Sequence, residues 1–226
     1  MPLPVDDHSR RALILDFDGV LVDSEALNFR AWDQAFAEQK ALRVSGGYQQ
    51  IVGLSLAQLY DHWPLRNGHD PAALSALDRQ ALLARKNELF FSWAADQLQI
   101  MPGSVDLVAR ARSAGWYVAL ASRARRLRLL RTLELIRFPL PFDVIMGSED
   151  SVDALTDRKV HSRAGAVFGI DSSACVVIED SRSGVADACA AAIGHVIGLT
   201  SSADASTLRE AGAHEVVTAL VNVVLR

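Results

Sequence analysis

Five side chains that can donate, accept or attack stand directly after three short apolar runs. Ala12-Leu13-Ile14-Leu15 leads into Asp16 and Asp18, Val118-Ala119-Leu120-Ala121 into Ser122, and Val176-Val177-Ile178 into Glu179 and Asp180. If these runs are strands of one parallel sheet, their carboxyl ends are where such sheets bind ligands. Four acids and a hydroxyl then converge on one small volume. Carboxylates crowded together repel and raise each other's pKa unless a cation neutralises them. A hard divalent ion is the expected partner, since Mg2+ takes one or two carboxylates, waters and substrate phosphate. The competing reading is that each acid caps a helix or closes a turn. It suits a single acid better than two acidic pairs.

Holding those residues together requires a sheet. Ala12–Phe17, Tyr117–Ala121, Asp143–Met146, Cys175–Ile178, His195–Leu199 and Glu215–Val217 read as buried strands, apolar on both faces. Helix-like stretches lie between them, among them Val105–Ala114, Leu127–Ile136 and Ser183–Ala192. This alternation predicts an α/β fold with a doubly wound parallel sheet. From Ser24 to Ile100 the rhythm changes to helical periodicity alone, with Leu27, Ala31, Ala35 and Phe36 on one stripe and Leu74, Leu77, Ala81 and Ala84 on another. The expected organisation is a core of residues 1–23 and 101–226 carrying an inserted all-helical cap of residues 24–100. Met101-Pro102-Gly103 marks the return to the core.

The chain has 226 residues, half of them apolar, and a formal net charge of -4, which suits a globular protein and argues against nucleic acid as a partner. No apolar run approaches the roughly 20 residues of a membrane helix, and the first such run contains acids, unlike a secretion signal. The expected location is cytoplasmic, without a membrane partner. Cys175 and Cys189 are too few for a metal cage and read as buried packing. Arg123, Arg125, Arg126, Arg128 and Arg131 read as the exposed face of a helix that buries Leu127, Leu130 and Leu133. Arg123 and Arg125 lie nearest the strand end and are the ones expected to reach an anionic ligand.

The run Asp16-x-Asp18-Gly19-Val20-Leu21-Val22-Asp23-Ser24, with Leu120-Ala121-Ser122, Lys159 and Val177-Ile178-Glu179-Asp180-Ser181-x-x-Gly184, resembles the haloacid dehalogenase superfamily. The likeness is to its β-phosphoglucomutase-like branch, over about Ala12 to Leu199. It implies a Mg2+-dependent phosphatase acting on a small phosphorylated metabolite through an aspartyl-phosphate. Asp16 is then the nucleophile, and Asp18 protonates the leaving alcohol and later activates water. Asp16, the Asp18 carbonyl, Glu179 and Asp180 hold the metal. Ser122 and Lys159 grip the transferring phosphoryl group, and Gly19 lets the loop close on it.

The lysine segment departs from the branch's Lys-Pro-x-Pro-Asp. It reads Asp157-Arg158-Lys159-Val160-His161-Ser162, and Lys159 stands 20 residues before Glu179, about four fewer than the resemblance implies. Of the three lysines, Lys40, Lys86 and Lys159, only the last lies in the right interval. In the cap, Asn28 replaces the histidine of β-phosphoglucomutase, and Leu56 the arginine of its Gly-x-Ser-Arg stretch. Both changes favour hydrolysis over a mutase, which must hold a second phosphate. Asn28, Lys86 and Arg123 are the expected further substrate contacts, Lys86 either touching substrate or snorkelling to water. A dehalogenase, a receiver domain and a non-catalytic member are the other readings. Asp18, Glu179 and Asp180 speak against the first, and the length and Ser122 against the second.

Overall fold

A computed structural model describes residues 10–40, 59–60, 79–150 and 160–225. Six strands form one parallel sheet: β1 (Ala12–Leu15), β4 (Tyr117–Ala121), β5 (Val144–Met146), β6 (Cys175–Glu179), β7 (His195–Leu199) and β8 (Glu215–Val217). Their order is β5-β4-β1-β6-β7-β8. All six predicted strands are present, the first shorter by the two residues that turn into the loop.

Each strand divides its side chains between two cores, as a sheet covered on both faces requires. Leu13, Leu15, Leu120 and Ile178 pack with Leu107 and Val108 of α3 (Ser104–Ser113) and Leu129 of α4 (Arg126–Leu135). Ile14, Ala119, Ala121 and Val177 face the opposite way, against Val160 and Ala164 of α5 (Val160–Ala166), Val185 and Ala188 of α6 (Arg182–Ala190) and Leu208 of α7 (Ala205–Glu210). The fold is therefore doubly wound.

Between the first two sheet strands the chain runs through β2 (Val22–Asp23), α1 (Glu25–Lys40), α2 (Arg79–Gln97) and β3 (Gln99–Ile100). β2 and β3 pair antiparallel and bring the two crossings side by side, with Met101 N–H donating to the Leu21 carbonyl at 2.9 Å. Neither two-residue strand was legible, since so short a pairing carries no periodicity. α1 buries Leu27, Ala31, Trp32, Ala35 and Phe36 as expected. Of the predicted stripe, Leu74 and Leu77 lie outside the described residues and Ala81 and Ala84 are exposed; the buried line of α2 is Leu82, Lys86, Leu89, Phe90 and Ala94. The large side chains decided that face, and the two alanines had too little area to compete. Together the helices form a third apolar cluster.

The arginine-rich helix is the clearest correction. Leu127 and Leu130 are 69% and 45% exposed, whereas Arg128 is 9% exposed. Arg125, Arg126 and Arg131 are exposed and Leu133 packs against the core as expected, but Arg128 turns inward, because it finds a carboxylate there, and Leu127 and Leu130 are left outside. Cys175 is buried as expected, its thiol pushed up to about 11 by burial; Cys189 is only partly covered. Among the described residues no helix is long and apolar enough to cross a membrane.

Candidate active site

Register brings the chemistry together. β1 lies between β4 and β6, with Leu15 level with Leu120 on one side and Ile178 on the other. The residues that follow therefore leave the sheet at one height: Asp16, then Ser122 after Ala121, then Glu179. Asp16 N–H donates to the Ile178 carbonyl and Ser122 N–H to that of Met146, each at 3.1 Å. Strand order reverses about β1, so this edge is the crevice where open α/β sheets take ligands.

One carboxylate oxygen from each of Asp16, Glu179 and Asp180 lies within 4.8 Å of the others. Burial, then Glu179, Asp180 and Asp18, push Asp16 well above the usual carboxylate range. Asp180 is pushed up by burial and by Glu179, although the hydroxyls of Ser201 (3.0 Å) and Ser202 donate to its Oδ2. This is the strain that a hard divalent cation relieves, and three converging carboxylates, two of them buried and Asp16 partly so, are a donor set that fits Mg2+. Gly19, at φ +78°, presses the β1 loop against the cluster: a Cβ there would stand 1.8 Å from Asp180 Oδ2. Only glycine suits both that φ and that gap.

Glu179 is pinned from behind. Its Oε2 accepts from the backbone N–H groups of Asp180 (3.1 Å) and Ser181 (3.2 Å) and from the Ser181 hydroxyl (3.1 Å). Ser181 in turn caps α6 by accepting from Gly184 N–H, and a Cβ on Gly184 would reach 2.0 Å from the Glu179 carboxylate. Burial acts to raise Glu179, but His161 and Arg123 outweigh it and hold the group below its ordinary value. His161, 4% exposed, places Nε2 3.5 Å from Oε1, and among the described residues neither ring nitrogen makes an aligned hydrogen bond. The sequence reading missed His161; its only signal was a histidine in an otherwise helical apolar stretch.

Asp18 stands apart from the trio. Arg128 grips it with both prongs, Nη1 to Oδ2 at 2.6 Å and Nη2 to Oδ1 at 2.7 Å, and the Ser24 hydroxyl also donates to Oδ1. Burial would raise Asp18, yet Arg128, Ser24 and Lys86 together lower it. Glu25, likewise unforeseen, is pushed up to about 7 by burial and by Asp18. Lys86 is 3% exposed, its ammonium 5.0 Å over the Phe90 ring and 5.4 Å over Trp32. Burial and then Arg128 pull it well below the ordinary lysine value. Its head is not in bulk water.

A cavity of about 330 Å³ joins these groups: Asp16, Asp18, Ser122, Glu179 and Asp180 form its floor, and Asn28, Trp32 and Lys86 come from the helices above. Ser122 Oγ accepts from Ala124 N–H at 3.2 Å. Arg123 lines the wall but is already held by Asp187 (2.6 Å) and Ser183 (2.8 Å). The anion-attracting end of α4 is also taken, since the Glu149 carboxylate accepts from Arg126 N–H at 3.1 Å. Lys159 and Leu56 lie outside the described residues.

Comparison with known proteins shows which family the chain resembles. The sequence model of haloacid dehalogenase-like hydrolases matches residues 10–193. Protein CbbY of Rhodobacter capsulatus is 28% identical over 199 residues, covering 81% of this chain and 82% of its own. Hexitol phosphatase B of Escherichia coli K12 is 26% identical over 179 residues, 77% of each chain. The crystal structure of β-phosphoglucomutase from Clostridium difficile superposes with a TM-score of 0.78 at 20% identity, over 95% of this chain and 93% of that one.

Proposed function

This chain belongs to the haloacid dehalogenase-like hydrolase family, and we propose that within it the protein is a Mg2+-dependent phosphatase acting on a small phosphorylated metabolite. The observation that carries this reading is the trio of Asp16, Glu179 and Asp180 oxygens within 4.8 Å, with Asp18 in the same cavity. Asp16 attacks phosphorus and forms an aspartyl-phosphate, so that one hard displacement becomes two. Asp18 gives a proton to the leaving oxygen and later takes one from the attacking water. Asp16, Glu179, Asp180 and the Asp18 carbonyl hold the metal, whose contribution is to neutralise charge on the phosphoryl oxygens. Ser122 donates a hydrogen bond to the same group, with Lys159 as its counter-charge. Gly19 leaves room for the phosphate beside the loop. α1 and α2 act as the cap of residues 24–100 over the core of 1–23 and 101–226, presenting Asn28 and Lys86 to the substrate while Arg123 holds the cavity wall.

Hydrolysis is favoured over isomerisation because Asn28 offers a neutral amide where a mutase needs an acid/base group. The test is turnover of p-nitrophenyl phosphate by wild type and Asp16→Asn, with Mg2+ and with EDTA. We expect Asp16→Asn and EDTA each to remove at least 99% of the activity, since the nucleophile and the charge neutralisation act as one unit. Activity retained in either case sinks the reading. Free phosphate as the product of a hexose 1-phosphate supports the phosphatase, and an isomerised sugar phosphate supports a mutase.

A further inference from the structure

Among the described residues, His161 is a buried side chain whose two polar atoms both lack a hydrogen-bond partner. Its neighbours on α5, Val160 and Ala164, belong to the apolar core together with Ile14, Ala119 and Val177. Leaving a ring donor and a ring acceptor unpaired in such surroundings is unfavourable. Phenylalanine or leucine would fill the space without burying a polar atom. Packing therefore does not account for an imidazole here, and the group it faces has to.

That group is Glu179, whose Oε1 lies 3.5 Å from His161 Nε2. The two oxygens of this carboxylate have different surroundings. Oε2 accepts from two backbone N–H groups and the Ser181 hydroxyl, whereas Oε1 accepts no hydrogen bond among the described residues. Gly184 lies against the carboxylate with no room even for a Cβ, so the group cannot swing towards α6. Oε2 is thus the anchor, and Oε1 is the oxygen left to share a cation with Asp16 and Asp180. A carboxylate oxygen has two lone-pair directions. One can serve a cation while the other accepts from an imidazole N–H, and closing the gap by about 0.5 Å gives an ordinary N–H···O length.

We propose that His161 is a positioning residue of the metal site: with its proton on Nε2 it donates to Glu179 Oε1, fixes the tilt of that carboxylate, and so sets the affinity for the cation. The inference rests on the metal of the phosphatase reading and assigns to it a partner behind the ligands. His161 itself touches neither cation nor substrate. Partners that hold a ligating group from behind are typically worth about 10- to 100-fold in metal affinity. The donor at the Nε2 position, and not the bulk of the ring, is what the site uses.

The experiment is a titration of the full chain with Mn2+, which like Mg2+ takes carboxylate oxygens and water and whose free ion is read directly by electron paramagnetic resonance. We expect His161→Phe to raise the Kd about tenfold or more, and His161→Gln, whose amide N–H reaches the place of Nε2, to stay within about threefold of wild type. An unchanged Kd in the phenylalanine variant overturns the proposal. So does equal weakening in both variants, which assigns His161 to packing. Should the phenylalanine variant melt below the assay temperature, His161→Asn takes its place. Its amide stops at the position of Nδ1, so its Kd is expected about tenfold above that of the glutamine variant, and equal values overturn the proposal. Each of those adverse results leaves Mn2+ binding and Mg2+-dependent turnover of p-nitrophenyl phosphate in wild type intact. Absence of both in wild type instead marks failure of the phosphatase reading and removes the proposal with it.

Discussion

Glu25 and Asp18 share a cavity wall and respond to burial in opposite directions. Glu25 has no guanidinium fork, so burial and the charge on Asp18 push it up to about 7. An acid whose folded pKa is raised binds its proton more tightly folded than unfolded. Its contribution to stability therefore falls as pH rises from the ordinary 4.5 to about 7 and is constant above. The span corresponds to roughly 2 to 3 kcal/mol, allowing for coupling to Asp18 and Arg128. Asp18, held low by Arg128, works the other way: it stabilises above its unfolded pKa, and that support is lost as pH falls through the folded value. Glu25→Gln is accordingly expected to be more stable than wild type by about 2 kcal/mol at pH 8 and nearly equal to it at pH 4, measured by urea unfolding. An equal difference at both pH values would contradict this account. Asp16, Asp18, Glu179 and Asp180 were readable in advance because acids ending apolar strands are conspicuous. Glu25 was not, since a glutamate in the first turn of a helix is also what the helix dipole favours.

At the scale of elements, α4 carries the same lesson more sharply. Its sequence, Arg126–Leu135, alternates arginine and leucine so closely that two opposite faces are both plausible. Local pattern favours burying Leu127, Leu130 and Leu133, but the helix buries Leu129 and Thr132 and only part of Leu133, with Arg128 reaching Asp18 across 110 positions of sequence. The outcome depended on a partner no periodicity contains. Leu127→Gln is therefore expected to change stability by less than about 0.5 kcal/mol, and Leu129→Ala to cost about 2 to 4 kcal/mol, both from thermal or urea unfolding. The reverse order would restore the face read from the sequence. The sheet itself was legible almost to the residue, because strands buried on both faces leave unbroken apolar runs that only a doubly wound fold accommodates. The β2–β3 pair was not, for it is fixed by where the helical segment leaves and rejoins the core.

For the whole molecule, the site is a junction of distant segments: β1, β4, β6 and the helices above them meet only when the chain is folded. The cation proposed for Asp16, Glu179 and Asp180 would thus bind the native state and not the unfolded one, and would stabilise the fold by mass action. At a free Mg2+ concentration a hundredfold above Kd the gain is about 2.7 kcal/mol, or roughly 5 to 10 °C in Tm for a chain of this size. The sign of its pH dependence follows from the cluster. Asp16 and Asp180 are raised well above 3.8, so they keep protons at pH values where ordinary carboxylates are ionised. Protons then compete with the metal. The Mg2+-induced rise in Tm is expected to be full at pH 8 and to shrink towards pH 5.5. Asp180→Asn should abolish that rise while lifting the metal-free Tm, because it takes one buried charge out of the repelling trio and leaves an oxygen for Ser201 to donate to. Calorimetric melting of both proteins with and without Mg2+ checks each part. A Tm increment that is independent of pH, or that persists in the asparagine variant, would place the cation somewhere other than this junction.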